Sequence, residues 1–186
     1  MREIIYVTGN KYKLFAAKRI FESFNIKVIN KIIDCPEIQA DTIKEVAIYS
    51  SIYASNYLKS SVLKNDSGLE IRALNNFPSV YTRYVEETLS EDGILKLMLG
   101  IEDRYAYFLE VLAYTEYGKE TVIFIAKTEG SIAYEKSGDY GWGYDKIFIP
   151  KGQIKPLACF NDDERYKFWD DSAYIKLGKY LTDKNN

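Results

Sequence analysis

Strand-like runs alternate with helix-like runs along this chain, and the alternation predicts an α/β fold. Three observations carry that reading. Residues 3–8, Glu-Ile-Ile-Tyr-Val-Thr, form a buried-strand pattern that turns at Gly9 into Leu14, Ala17, Ile20, Phe21 and Phe24 at helical spacing. A second pair follows, the β-branched run Ile26–Ile33 and then Thr42–Leu58. In that second helix Ile43, Val46, Ala47, Ile48, Ile52, Tyr53 and Ala54 lie at helical spacing. Finally, Arg104–Tyr117 and Glu120–Thr128 are long strand patterns around Tyr117-Gly118-Lys119, the signature of a hairpin.

The remaining elements are shorter. Val62-Leu63-Lys64 is a brief strand candidate that ends in the loop Asn65-Asp66-Ser67-Gly68, and Ala73–Pro78 is rich in turn residues. Ser90–Gly93 leads into Ile94–Leu99, with Gly100 as a C-cap. Gly130–Ala133 extends the second hairpin strand, and Lys146–Pro150 is a short strand. Asp162–Tyr166 and Asp170–Leu181 read as helices, the last capped by Asp170, Asp171 or Ser172. The tail Asp183–Asn186 reads as frayed. No internal repeat or linker interrupts the pattern, so residues 1–186 are expected to form a single domain.

Composition excludes several functions. Net charge is −2 and pI about 5.4, so no basic field points to a nucleic-acid partner. No apolar run reaches the roughly 20 residues of a membrane span, and the first residues enter a strand rather than a signal peptide. Cys35 and Cys159 lack paired spacing and read as reduced thiols of a cytoplasmic protein. The chain has no histidine. Ser-His-Asp and Cys-His catalysis are thereby excluded, along with most zinc sites. Hydrolysis here has to rest on carboxylates, a metal ion, lysine or backbone groups.

Three stretches carry such chemistry. At Asp66-Ser67-Gly68, Asp66 can ligate a hard cation or accept a proton from water. Ser67 offers a hydroxyl, and Gly68 lets backbone approach a ligand, although the same tripeptide is ordinary turn chemistry. At Thr8-Gly9-Asn10-Lys11-Tyr12-Lys13 a strand passes through a glycine turn into a helix N-terminus, a ready anion site. Lys13 there is unfavourable for the helix alone and would suit a bound phosphate. The other reading is a plain connection with Asn10 as N-cap. At Gly138–Asp145, glycines interleave with aromatics and end on a carboxylate. Trp142 and Tyr144 can offer a stacking face beside Gly143, and Asp145 can accept from ring N–H groups, or the aromatics can simply pack in a core. Glu37 is a further carboxylate, on the Cys35-Pro36-Glu37-Ile38-Gln39 loop, either a metal ligand or a solvated side chain.

Taken in order, Thr8-Gly9-Asn10-x-x-Lys13, Cys35–Gln39, Asp66-Ser67-Gly68-Leu69-Glu70, Phe77–Tyr81 and Trp142-Gly143-Tyr144-Asp145 resemble the inosine triphosphate pyrophosphatase family. Gly93-Ile94-Leu95-Lys96-Leu97 and Tyr105-Ala106-Tyr107-Phe108 are similar to its archaeal branch. The resemblance implies an elongated, mixed, twisted sheet flanked by helices, in two lobes with a central cleft. It implies a homodimer and Mg²⁺, and hydrolysis of deaminated purine nucleoside triphosphates to monophosphate and pyrophosphate. Carried over, Thr8, Gly9, Asn10 and Lys13 hold the triphosphate, Glu37 and Asp66 ligate Mg²⁺, and Asp66 also serves as proton acceptor. Ser67 and Gly68 touch substrate. Trp142 replaces a stacking Phe, Gly143 and Tyr144 line the base, and Asp145 accepts from the base edge.

The departures are specific. The acidic residue usual before the catalytic Asp is Asn65, and a phosphate-directed lysine on the second helix is replaced by Ser50. The C-terminal Lys-Asn-x-x-Ser-His-Arg pattern is absent: Phe168, Trp169 and Asp170 stand for Ser-His-Arg, and Glu164 for the lysine unless Arg165 or Lys167 takes over. Trp169 can still donate one N–H to a purine keto oxygen, whereas Asp170 either repels it or caps the last helix. A pyrophosphatase of altered base preference, or a paralogue that binds nucleotide or a protein with little turnover, is therefore the alternative expectation.

Overall fold

The computed structural model describes residues 2–183, so most of the C-terminal tail lies outside the described residues. Six strands form one mixed sheet in the order β2-β1-β3-β4-β5-β6. They are β1 Arg2–Val7, β2 Ile26–Lys31, β3 Val62–Ile71, β4 Tyr105–Thr115, β5 Thr121–Ile132 and β6 Phe148–Pro150. β1 runs parallel to both β2 and β3, with Tyr6 opposite Asn30 and Leu63, and β6 runs antiparallel to β5. Six helices accompany them: α1 Lys11–Glu22, α2 Ile43–Leu58, α3 Thr82–Thr88, α4 Ser90–Leu97, the single turn α5 Asp162–Arg165 and α6 Ser172–Asp183.

The α/β expectation holds, with two corrections that matter for the site. β3 is ten residues long and runs straight through Asn65-Asp66-Ser67-Gly68. Asp66 is thus a mid-strand residue, not a loop residue: sheet pairing outweighs the turn preference of Asp, Ser and Gly. The short strand expected at Lys146–Pro150 shrinks to Phe148–Pro150, because residues 143–146 form a 3₁₀ turn.

The chain divides into two compact units. Unit 1 comprises Met1–Asp66, Glu110–Ala126 and Asp171–Asn186. Its core gathers Ile4 and Tyr6 of β1, Ala17, Ile20 and Phe21 of α1, and Ala173, Tyr174, Leu177 and Leu181 of α6. The Phe21 and Tyr174 rings meet edge-on at 5.9 Å. Helix α2 buries small residues, Ala47, Ser51, Ala54 and Ser55, a face that lets it approach closely. Thr42 caps it in a reciprocal box with Glu45: the Thr42 hydroxyl accepts from the Glu45 amide at 3.2 Å and the Glu45 carboxylate accepts from the Thr42 amide at 3.0 Å.

Unit 2 comprises Ser67–Leu109 and Lys127–Asp170. Its core includes Leu69 and Ile71 of β3, Val85, Ile94 and Met98 of α3 and the α4 end, Ile132, Tyr144, Ile147, Phe148 and Leu157. Arg104 ties this core by donating to the carbonyls of Met98 (2.8 Å), Ile132 (2.9 Å) and Ala133. Glu70 is buried but satisfied, accepting from Ser79 at 2.9 Å and from the Tyr107 hydroxyl.

Candidate active site

In unit 1 the site is built where β1 hands the chain to α1. Thr8 is held by its neighbours on β2: its amide donates to the Lys31 carbonyl at 3.2 Å, and its carbonyl accepts from Asn30 Nδ2 at 2.9 Å. The Thr8 hydroxyl accepts from the Asn10 amide at 3.1 Å. Asn10 is the N-cap of α1, its Oδ1 accepting from the amides of Tyr12 (2.9 Å) and Lys13 (3.2 Å). Of the two readings of this turn, the N-cap is therefore present, and those two amides are already engaged. The space over Gly9 is open, since a Cβ there would meet nothing within 4 Å.

Lys13, one turn into α1, stands in the field of Asp66 and Glu110. Burial lowers the pKa of its ammonium, and the two carboxylates oppose that shift. Asp66 is half-buried at the end of the unit 1 part of β3. Glu110, on β4, is a group that the sequence reading missed. Its carboxylate accepts from Asn65 Nδ2 and from Tyr174 Oη at 3.2 Å, and burial pushes its pKa up from 4.5 to about 7. A lone acid inside the apolar run Phe108-Leu109-Glu110-Val111-Leu112 was the available signal. Glu37 is exposed on the loop after β2. Among the described residues no three His, Cys, Asp or Glu side chains converge as a metal site.

In unit 2 the second set of residues gathers around Asp145. Gly143, Tyr144 and Asp145 lie in the 3₁₀ turn that Trp142 opens. Trp142 is 48 % exposed, whereas Tyr144 is buried, its hydroxyl donating to the Thr82 carbonyl at 3.2 Å. Of Trp142 and Tyr144, Trp142 is the one open for stacking, because Tyr144 belongs to the core. Ser67 and Gly68 lie in the unit 2 part of β3, Ser67 half-buried and Gly68 buried.

Asp145 is paired with Arg165, whose Nη1 donates to it at 2.5 Å. Arg165 is 7 % exposed, its guanidinium also donates to Asp162, and its Nε is buried with no hydrogen-bond partner among the described residues. Burial raises the Asp145 pKa, and Arg165 opposes the rise. Of the three candidates for the missing lysine, Arg165 is the cation beside Asp145. Glu164 instead closes a capping box with Asn161. Glu86 of α3 is the second acid here. Its pKa is raised by burial and then by Asp145. Gly143 has φ +51°, a conformation that favours glycine, and a Cβ there would displace the Glu86 carboxylate.

Three further cations are engaged: Arg72 is bidentate on Asp103, Arg83 donates to Glu87, and Lys146 faces Glu91 at 3.8 Å. Trp169 packs edge-on against Phe108 at 5.2 Å and lines a pocket of about 290 Å³ with Lys127, Lys151 and Lys167, whose lining includes none of Trp142–Asp145. Asp170 precedes α6. Its carboxylate accepts from the Lys127 amide at 3.1 Å and its amide donates to Thr128 Oγ1 at 2.9 Å, which fastens it to β5.

The chain thus joins one mixed α/β sheet to a capped strand-to-helix turn bearing lysine. Residues 4–169 match the model of the Ham1 family, and the chain belongs to that family. A dITP/XTP pyrophosphatase of Methanosarcina acetivorans is 44 % identical over 152 residues, 82 % of this chain and 83 % of the relative. That of Methanosarcina mazei is 43 % identical over 167 residues, 90 % of each. A HAM1 protein structure from Coxiella burnetii superposes with a TM-score of 0.85 at 28 % identity, covering 98 % of this chain and 100 % of that one.

Proposed function

We propose that this chain is a nucleoside triphosphate pyrophosphatase that takes deaminated purine nucleotides such as dITP, ITP and XTP and releases pyrophosphate. The observation that carries the reading is the activity printed for relatives 44 % and 43 % identical to it over most of both chains. The site chemistry supports it. Lys13 supplies a cation beside an open helix-entry turn, where a triphosphate would meet Thr8, Gly9, Asn10 and Lys13. Asp66 supplies the carboxylate that accepts a proton from water. Ser67 and Gly68 follow it in β3 as substrate contacts, and Trp142, Gly143 and Asp145 contact the base, with Tyr144 supporting their turn.

Mg²⁺ fits these residues, because it is commonly held by one or two carboxylates together with substrate phosphates rather than by a full protein cage. Asp66 and Glu37 would hold it. When bound, it neutralises charge on the phosphoryl oxygens. We further propose that residues 1–186 act as one domain, that two copies form a homodimer, and that the protein is cytoplasmic. The family match running through both units supports the first, and two free cysteines support the last. No helix among the described residues is long and apolar enough to cross a membrane.

A second reading, altered base preference, is favoured by Asp170, whose carboxylate is turned to the β5 backbone rather than replaced by a donor. Beside Asp145 the Arg165 guanidinium is a donor for a purine keto oxygen, whereas Trp169 lines a separate pocket. One experiment decides both. Pyrophosphate release is measured with Mg²⁺ from inosine, xanthosine and the four standard nucleoside triphosphates and their deoxy forms. Release that disappears in Asp66→Asn is expected, with inosine or xanthosine preferred. No release from any member overturns the function, and equal or faster release from adenosine triphosphate establishes the second reading.

A further inference from the structure

The surroundings of Lys13 contain a carboxylate to which the proposed reaction gives no role. Glu110 Oε1 accepts from Asn65 Nδ2 and, at 3.2 Å, from Tyr174 Oη, which lies 3.1 Å from Tyr6 Oη. Side chains from β1, β3, β4 and α6 thus form one hydrogen-bonded chain, and it ends at the residue before Asp66. Asn65 Oδ1 is buried without a partner, so the bond to Glu110 is what fixes that amide. Lys13, reaching in from α1, is flanked electrostatically by Asp66 and Glu110, with Lys64 and Asp171 the other charges nearby. A carboxylate in an apolar strand is costly, and a neutral pair would hold β3 to β4 more cheaply. The charge therefore calls for a purpose beyond packing.

We propose that Glu110 is a positioning residue of the phosphate site. Through Asn65 it fixes β3 at Asp66, so that Asp66 meets the triphosphate in one arrangement, and its carboxylate acts with Asp66 on the Lys13 ammonium. The inference rests on the pyrophosphatase reading. Its own signature is that the site needs one carboxylate and one amide in contact at positions 65 and 110, whichever strand carries the charge.

The test compares the full-length wild type, Glu110→Gln, and the exchange Asn65→Asp with Glu110→Gln, at pH 8. Two quantities are read: pyrophosphate release from dITP, and calorimetric affinity for inorganic tripolyphosphate with Mg²⁺. Glu110→Gln is expected to lose tenfold or more in both, with an unchanged circular dichroism spectrum. The exchange is expected to recover both to within threefold. Glu110→Gln within twofold of wild type overturns the proposal, and so does a loss that the exchange does not recover. If Glu110→Gln does not fold, the exchange alone decides, near-wild-type values upholding the proposal and a tenfold loss overturning it. A wild type that binds tripolyphosphate but releases no pyrophosphate overturns the proposed function, while the binding series still decides Glu110. Absence of binding overturns both.

Discussion

Arg165 shows how a single side chain can reshape a site. Its guanidinium is buried against Asp145 and Asp162, and removing it would leave Asp145 buried and unpaired. Breaking such a pair from one side costs about 3 kcal/mol. Arg165→Met is expected to lose that much in urea unfolding, and Asp145→Asn added to it should recover part of the loss. Glu110 gives the residue-scale pH dependence. Its pKa is raised from 4.5 to about 7 in the folded chain, so the folded protein holds that proton more tightly than the unfolded one. Its contribution to stability is therefore fully present below pH 4.5 and is lost as pH rises to about 7, a span worth about 3 kcal/mol. Glu110→Gln is expected to flatten unfolding free energy across that window relative to wild type. A parallel pair of pH curves would refute the assignment.

At the scale of the element, helix α2 carries its instructions locally. Thr42 and Glu45 are three residues apart, and their reciprocal bonds fix the start of the helix without help from the rest of the chain. Thr42→Ala is expected to cost about 1 kcal/mol, read as a lower urea midpoint at unchanged slope. Strand β3 is the opposite case. Asn65-Asp66-Ser67-Gly68 reads locally as a turn, yet the sheet draws all four residues into β3. The proposed catalytic carboxylate, Asp66, is therefore carried on a strand rather than on a loop. The Trp142–Asp145 segment was legible as glycine-spaced aromatics. Which aromatic is buried was not, because that depends on the Thr82 carbonyl waiting for the Tyr144 hydroxyl.

At the scale of the molecule, each unit has its own buried core, and the chain passes between them at Asp66, Glu110, Lys127 and Asp171. The proposed homodimer belongs to this scale. Light scattering at micromolar concentration is expected to give twice the 21.5 kDa chain mass, and a monomer mass would reject it. The sequence by itself determined the alternation of strands and helices, Asn10 as a candidate N-cap, and the exclusion of histidine chemistry. It also determined the ordered motifs that place the chain in its family. These are properties of neighbouring residues, set by periodicity, capping geometry and side-chain type. Only the tertiary structure decided that Glu110 comes against Asn65 from 45 residues away, that Arg165 rather than Glu164 or Lys167 meets Asp145, and that Asp170 binds the β5 backbone. Those pairings form when distant strands and turns are brought together by burial of the two cores. No local pattern encodes them, because a charged side chain in a sequence carries no mark of the partner that folding will give it.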